Sequence, residues 1–158
     1  MKVGVAVIGR AKGAVGDAIS EYETRARRYF TFDSAELKEE AYRGRGDAPR
    51  VRDEEGKRLL ARVPGGCDII ALHETGKAWD SPKLAAYLAD LQVRASPGAA
   101  FLIGGAYGLS DEILSCATHL LSLGAFTLPH EVARLVLTEQ LYRAGTILRG
   151  EPYHKGRE

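Results

Sequence analysis

Cysteine, tryptophan and methionine are scarce in this chain, and the short motifs of redox and metal sites are absent from it. The 158 residues include two cysteines, one tryptophan and one methionine. Cys67 and Cys116 are far apart and no Cys-x-x-Cys occurs, so we expect two buried thiols in a cytoplasmic protein. The four histidines are widely spaced and no HExxH occurs, so we expect no protein-built metal site.

Long apolar runs are also missing. No run approaches the ~18 apolar residues of a membrane span. The apolar N-terminus ends at Gly9 and Arg10, without the longer apolar core and cleavage site of a signal peptide. Hydrophobic residues make up 45% and charged residues 27%, which excludes a disordered or fibrous chain. The length predicts one domain over residues 1–158.

No strong excess of charge marks the chain as a nucleic-acid binder. Lysine and arginine total 22 against 21 aspartate and glutamate, a formal charge of +1. Residues 1–63, however, carry 14 basic and 11 acidic side chains. The densest basic segment contains Arg43, Arg45, Arg50 and Arg52. Its composition fits a solvated surface loop and a phosphate-contacting loop equally well.

Apolar strand patterns alternate with helical patterns along the chain. Predicted strands are residues 3–8, 31–37, 67–72, 99–103 and 120–126. Predicted helices are residues 17–30, 47–63, 82–94, 111–116 and 130–148, with Asp17, Ser81 and Ser110 as N-caps. Residues 74–77 are expected to form a loop, and Glu54 and Glu55 to face Arg58 and Arg62 on the second helix. The alternation predicts an α/β fold with a mostly parallel sheet flanked by helices.

The last predicted helix is apolar over most of its circumference. Val132, Leu135, Val136, Leu141 and Ile147 do not share one face. Such a helix is buried on two sides. We favour a second subunit as the cover, since two-fold dimers are the commonest assemblies. The alternative is a helix sandwiched within the monomer.

Two segments have the composition of a ligand site. Gly104-Gly105-x-x-Gly108 follows a strand, where open α/β sheets bind ligands. Asp111 and Glu112 come directly after it and would repel phosphate, but they would tolerate a positively charged ligand. Residues 122–130 are apolar and flexible enough to surround a flat ring with main-chain groups. Taken alone, the glycine-rich segment is more typical of a tight turn than of a site, and residues 122–130 are more typical of a buried strand and turn.

The polar C-terminal tail combines an aromatic ring, an imidazole and an amine. Tyr153, His154 and Lys155 would supply stacking, proton transfer and phosphate attraction. An exposed tail without a function has the same composition.

Together these segments resemble the SPOUT superfamily of methyltransferases, and within it the ribosomal RNA large subunit methyltransferase H family. The resemblance spans nearly the whole chain, although residues 10–65 match only loosely, and it depends on the order and spacing of short motifs. The matching residues are Gly76-Lys77, Trp79-Asp80, Leu102-Ile103-Gly104-Gly105, Gly108-Leu109-Ser110, Leu123, Thr127-Leu128-Pro129-His130, Arg134, Glu139-Gln140-Leu141-Tyr142-Arg143-Ala144 and Pro152-Tyr153-His154. This chain departs from the family at His73, where aspartate is frequent, and at Lys155, which replaces an arginine of some members.

The resemblance implies a fold and an activity. It implies an α/β fold with a C-terminal trefoil knot, and a homodimer that methylates N3 of a pseudouridine in 23S rRNA on the assembled ribosome with S-adenosylmethionine. It implies His154 and Tyr153 as catalytic residues, with His130 as a second candidate base. Expected RNA contacts are Lys155, Arg134 and Arg143, the two arginines being alternatively part of the dimer interface. Expected cofactor contacts are Leu72, Gly104, Leu123, Gly124, Ala125, Phe126, Thr127 and Leu128.

Two other classes of function compete with a methyltransferase. A nicotinamide-dependent oxidoreductase would use Gly9, Gly13 and Gly16, but their spacing does not match the dinucleotide-binding fingerprint. A non-catalytic ribosome-binding factor would bind the particle without transferring a methyl group.

Overall fold

The computed structural model describes residues 1–154, and of His154 only the backbone. Five parallel strands form one sheet in the order β2-β1-β4-β3-β5. The strands are β1 Lys2–Ile8, β2 Thr31–Leu37, β3 Asp68–Ala78, β4 Gly98–Ile103 and β5 His119–Ser122. The predicted parallel α/β sheet is confirmed.

Helices cover both faces of the sheet. They are α1 Gly13–Ala26, α2 Ala48–Leu60, α3 Ser81–Val93, α4 Asp111–Cys116 and α5 His130–Leu148, followed by a 3-10 helix at Pro152–His154. On one face, Leu88 of α3 and Leu137 of α5 belong to the same buried cluster as Phe101 of β4. On the other face, Leu59 of α2 and Ile113 of α4 form a second cluster. Because the five strands are parallel, their carboxyl ends all lie at the same edge of the sheet.

Helix α5 is buried largely by its own chain. It packs against α1 on one side and against α3 on the other. Ala133, Leu137, Leu141, Tyr142 and Ala144 are buried, the other apolar residues are half-buried, and Val136 and Leu148 are 37% and 39% exposed. Contacts within the chain thus cover part of the apolar circumference of this helix, and a second subunit as the cover stays a prediction.

Several predicted boundaries were wrong. Helix α1 begins at Gly13, and its N-cap, Lys12, makes no side-chain capping bond. Asp80, not Ser81, caps α3, because its carboxylate accepts the Lys83 N–H at 2.8 Å. Strand β3 continues through the expected loop of residues 74–77, and β5 stops at Ser122. Ser110 does cap α4, as predicted, by accepting the Ile113 N–H.

Within residues 1–154, no group of three or more metal-ligating side chains is found, and no helix is long and apolar enough to cross a membrane. Both cysteines are free thiols. The prediction of two buried thiols is wrong, because Cys116 is exposed at the end of α4 and Cys67 is half-buried.

Candidate functional site

A cavity of about 980 Å³ opens at the edge of the sheet where β3, β4 and β5 end. Small-molecule sites commonly have volumes of about 300–1,000 Å³. Loops that follow neighbouring parallel strands converge at this edge, which is where open α/β sheets bind ligands. The cavity wall includes all eight residues expected to bind a cofactor: Leu72, Gly104, Leu123, Gly124, Ala125, Phe126, Thr127 and Leu128.

The turn after β4 forms one wall, and glycine is required there for packing. The Gly108 N–H donates to the Gly105 carbonyl at 3.1 Å, and Gly108 has a φ of +87°. A Cβ atom on Gly104 would lie 2.9 Å from the Gly108 carbonyl carbon and oxygen. These glycines therefore close a tight turn, which holds the adjoining backbone at the cavity.

Negative charge lies beside this turn. Helix α4 carries Asp111 and Glu112 in its first turn, and Asp111 lines the cavity. Carboxylates at this position make the wall unfavourable for phosphate and favourable for a ligand with positive charge.

The segment after β5 is an open loop and not the predicted strand. Ser122 fixes its start, because the Ser122 hydroxyl accepts the Gly124 N–H at 3.2 Å and donates to the Gly124 carbonyl at 3.1 Å. Leu123 and Leu128 pack against the core, whereas Phe126 is 88% exposed. Within the described residues, no hydrogen bond engages the backbone of residues 125–128. These main-chain groups are available to a ligand.

Strand β3 contributes the third wall. Its pairing with β5 is interrupted between Leu72 and Lys77, so residues 73–76 bulge from the ladder. His73 Nδ1 accepts the Thr75 N–H at 3.2 Å. A Cβ atom on Gly76 would lie 2.5 Å from the Leu120 backbone, which explains why glycine stands at this close approach of two strands. The bulge places His73 at the cavity rim.

Two ionisable groups with a buried, unpartnered atom adjoin the cavity. His130 begins α5 and lines the cavity; within the described residues its Nε2 atom is buried without a hydrogen-bond partner. Glu55 on α2 is 3% exposed, and its Oε1 atom likewise has no partner. A Cβ atom on Gly105 would meet that oxygen at 3.0 Å. Burial raises the pKa of the Glu55 carboxyl.

The predicted pairing of Glu54 and Glu55 with Arg58 and Arg62 was wrong for both glutamates. Arg58 instead pairs with Glu40, and Glu54 pairs with Lys57. Helical spacing gave Glu55 the pattern of an exposed residue, so the sequence held no signal for its position beneath the turn after β4.

Tyr153, one of the two expected catalytic residues, lies away from this cavity. The Tyr153 ring packs 4.5 Å from the Tyr142 ring, and its hydroxyl donates to Glu139 at 3.2 Å. Burial, followed by hydrogen bonding, raises the pKa of Tyr153. Tyr142 lies roughly 18 Å beyond His130 along the axis of α5. The His154 side chain and Lys155 lie outside the described residues.

The two arginines expected to contact RNA have different environments. The Arg134 side chain is 6% exposed and pairs with Glu23 at 3.1 Å and Glu36 at 2.7 Å. This burial within the monomer corrects the expected RNA contact, because the guanidinium is already satisfied by two carboxylates of its own chain. Arg143 is 29% exposed, pairs with Glu139 and lies over the Tyr153 ring.

Comparison with known proteins gives consistent matches over the whole described chain. A family model described as "Predicted SPOUT methyltransferase" matches residues 1–154. A ribosomal RNA large subunit methyltransferase H from Gemmatimonas aurantiaca is 47% identical, and the alignment covers 98% of this chain and 100% of that relative. A relative with the same name from Syntrophotalea carbinolica is 44% identical over 98% of this chain and 99% of its own.

A solved structure supports the fold. A protein from Legionella pneumophila described as a "putative methyltransferase", determined with the cofactor SAM bound to it, superposes with a TM-score of 0.51 at 16% identity. The match covers 91% of this chain and 66% of that one. At this identity the likeness concerns the fold alone. The near full-length family match and the curated relatives together establish that this chain belongs to the SPOUT methyltransferases, within the ribosomal RNA large subunit methyltransferase H family.

Proposed function

We propose that this chain transfers a methyl group from S-adenosylmethionine to N3 of a pseudouridine in 23S rRNA, acting on the assembled ribosome. The observation that carries the proposal is the convergence of three strand-end loops on one cavity that holds every expected cofactor residue. The names of the curated relatives support ribosomal RNA as the methyl acceptor.

The cavity wall has the chemistry that this cofactor requires. S-adenosylmethionine supplies an activated methyl group on a positively charged sulfonium. The free main-chain groups of residues 125–128 would bind the adenine edge, while Leu72, Leu123 and Leu128 would contact its faces. Asp111 would tolerate the sulfonium charge. These residues would orient the donor and exclude water, which is the larger part of the protein's contribution to an in-line methyl transfer.

The acceptor nitrogen must lose a proton. We assign the His154 imidazole as the base, because a neutral histidine with a reference pKa near ~6.5 accepts protons at physiological pH. The imidazole would take the N3 proton, and the N3 lone pair would bond to the methyl group that the cofactor supplies as the methyl–sulfur bond breaks. Tyr153 would stack on or hydrogen-bond to the pseudouridine ring, and Lys155 would bind a phosphate of the RNA backbone. His130, at the cavity wall, is the second candidate base.

We infer that each active site is completed by a second copy of the chain. Tyr153 packs near Tyr142 and Glu139, whereas the cavity lies at the opposite end of α5. Tyr153 in this position does not reach the cavity of its own chain. A two-fold dimer would supply it in trans, with exposed Val136 of α5 and Arg143 as interface residues.

The small net charge supports a particle as the substrate. A formal charge of +1 would hold an isolated RNA weakly. A composite ribosomal surface would add shape contacts. The proposal includes a cytoplasmic location, a single domain over residues 1–158 and the trefoil knot that the resemblance implies.

Methyl incorporation and donor binding test the proposal directly. We expect calorimetry to detect S-adenosylmethionine binding, and labelled donor to methylate ribosomes far faster than naked 23S rRNA. Mass mapping of rRNA from cells that lack the protein should show one missing methyl group on a pseudouridine. Ribosome binding without methyl incorporation would refute the enzyme, and equal rates on both substrates would refute the preference for the particle.

A mixture of two inactive variants tests the shared site. Gly104→Val disrupts the donor cavity, and Tyr153→Ala disrupts the tail. If the tail acts in trans, mixed dimers contain one intact site, so the mixture should recover activity that neither variant has alone. Mixtures that stay inactive, although mass spectrometry shows that mixed dimers form, would contradict the shared site.

A further inference from the structure

Two exposed tyrosines stack on each other beside the donor cavity. The rings of Tyr42 and Tyr107 are 4.8 Å apart and inclined by only 15°. They come from the segment after β2 and from the turn after β4, yet they remain 45% and 39% exposed. Aromatic rings held nearly parallel and open to solvent provide a flat surface for further stacking.

The stacked pair adjoins the proposed reaction site. Tyr107 belongs to the Gly104–Gly108 turn and lines the donor cavity. An Nη atom of Arg52 donates to the Tyr107 carbonyl at 3.4 Å. A second groove, of about 510 Å³, is lined by both tyrosines. A nucleotide stacked on this pair would therefore neighbour one whose base enters the cavity.

The segment that carries Tyr42 is held by internal ion pairs. Arg50 bonds to Asp47 at 2.8 Å and to the Ala41 carbonyl at 2.6 Å. Asp47 also accepts the Arg43 N–H at 2.7 Å. The Arg50 guanidinium and the Arg43 N–H lower the pKa of Asp47 to about 2. Arg58 pairs with Glu40 and donates to the Lys38 carbonyl. These contacts fix the loop before any ligand binds.

These ion pairs leave the positive charges of Arg43 and Arg45 exposed to solvent. The acidic groups Asp47 and Glu40 are neutralised by Arg50 and Arg58. Arg43 and Arg45 are both exposed, and among residues 1–154 neither side chain forms a salt bridge. Free guanidinium groups beside open aromatic faces are the combination that binds unpaired nucleotides, by phosphate attraction and base stacking.

We propose that Tyr42, Tyr107, Arg43 and Arg45 form an RNA-binding surface that holds the nucleotides flanking the methylated one. An unpaired base stacks on the tyrosine pair, and the two arginines bind adjacent phosphates. This inference rests on the proposed function, and it gives the basic segment of residues 43–52 a role in selecting unpaired RNA.

Variants of Tyr42 test the stacking, because this ring is outside the donor cavity. Tyr42→Ala should raise the KM for ribosomes about tenfold through the lost stacking interaction, while the Kd for S-adenosylmethionine stays unchanged. Tyr42→Phe keeps the aromatic face and should retain the wild-type KM. A wild-type KM in Tyr42→Ala, or an equal loss of donor affinity, would overturn the proposal.

The arginines are tested by the salt dependence of ribosome binding. Removal of two phosphate contacts in the variant Arg43→Ala/Arg45→Ala should reduce the slope of log K against log salt by about 1.4, at roughly 0.7 per contact with single-stranded RNA. Arg62→Ala is the matched control, since Arg62 is exposed beyond the far end of α2. Weaker binding with an unchanged slope would indicate a protein contact and overturn the assignment to RNA.

Co-sedimentation with ribosomes separates this inference from the proposed function. If the wild type binds ribosomes but transfers no methyl group, the proposed enzyme fails, and the binding of Tyr42→Ala still reports on the surface. If the wild type methylates and Tyr42→Ala matches it in both KM and binding, only the RNA-binding surface is refuted.

Discussion

Removal of the Arg134 guanidinium would leave two carboxylates without their cation. Arg134 joins α5 to Glu23 of α1 and to Glu36 of β2. Glu23 is 9% exposed, whereas Glu36 is 32% exposed and also accepts the Ala11 N–H. Burial alone would raise the pKa of Glu36, but the Ala11 and Arg134 donors outweigh it and lower the pKa. Most of the expected cost of Arg134→Met therefore comes from Glu23.

The magnitude follows from the burial of this pair. Breaking a buried ion pair by removing one partner costs about 3–5 kcal/mol. We expect the free energy of unfolding of Arg134→Met to fall by about 3 kcal/mol, the low end of this range, because Glu36 becomes hydrated once the arginine is gone. For a chain of this length, that loss lowers Tm by roughly 6–12 °C. Adding Glu23→Gln should recover much of the loss, because the buried charge is then gone.

Urea unfolding followed by the fluorescence of Trp79 measures these effects. Trp79 is the single tryptophan and packs against the main core cluster, so its emission reports on tertiary structure. Arg94→Met is the control, because the Arg94 side chain is 49% exposed and its pairs should contribute little. A loss below about 1 kcal/mol in Arg134→Met, together with a smaller salt slope for ribosome binding, would refute the structural role and restore the expected RNA contact.

Two further variants probe the turn after β4. Glu55→Gln should stabilise the protein at neutral pH, because burial raises the pKa of Glu55 and its ionisation opposes folding. The wild type should lose stability as pH rises from the pKa of Glu55 in the unfolded state through its higher pKa in the folded state. Denaturant unfolding at pH 5 and pH 8 should therefore show a smaller change in the free energy of unfolding for the variant than for the wild type. A larger change in the variant would count against the burial of Glu55. Gly104→Val should weaken S-adenosylmethionine binding more than tenfold with the circular dichroism spectrum unchanged, because its Cβ would displace the Gly108 backbone. Calorimetry that gives wild-type affinity would show that the turn does not shape the cavity.

The sequence was sufficient for elements with strong local signals. Residues 111–116 and 130–148 were predicted with the bounds that the structure shows, because a serine N-cap precedes one and an apolar period identifies the other. Convergence of the segments after β3, β4 and β5 was also predictable, since parallel strands end at one edge.

Elements that depend on distant partners were not predictable. The polar residues 74–77 extend β3 because Lys77 and Ala78 pair with Leu121 and Ser122. Capping preference favoured Asp17 as the start of α1, but the helix begins at Gly13 without a side-chain cap. Arg134 reaches carboxylates that are 98 and 111 residues away. None of these contacts can be predicted from the composition of the segments that make them.

The central position of β1 has a consequence for synthesis of the chain. Strand β1 pairs with β2 on one side and with β4 on the other, where Lys2 stands opposite Gly98. The first strand to leave the ribosome therefore keeps one edge unpaired until β4 has been made. Such non-local pairing slows folding and exposes an edge to association with other chains. Nascent chains of this protein should accordingly depend on chaperones until roughly two thirds of the sequence has emerged.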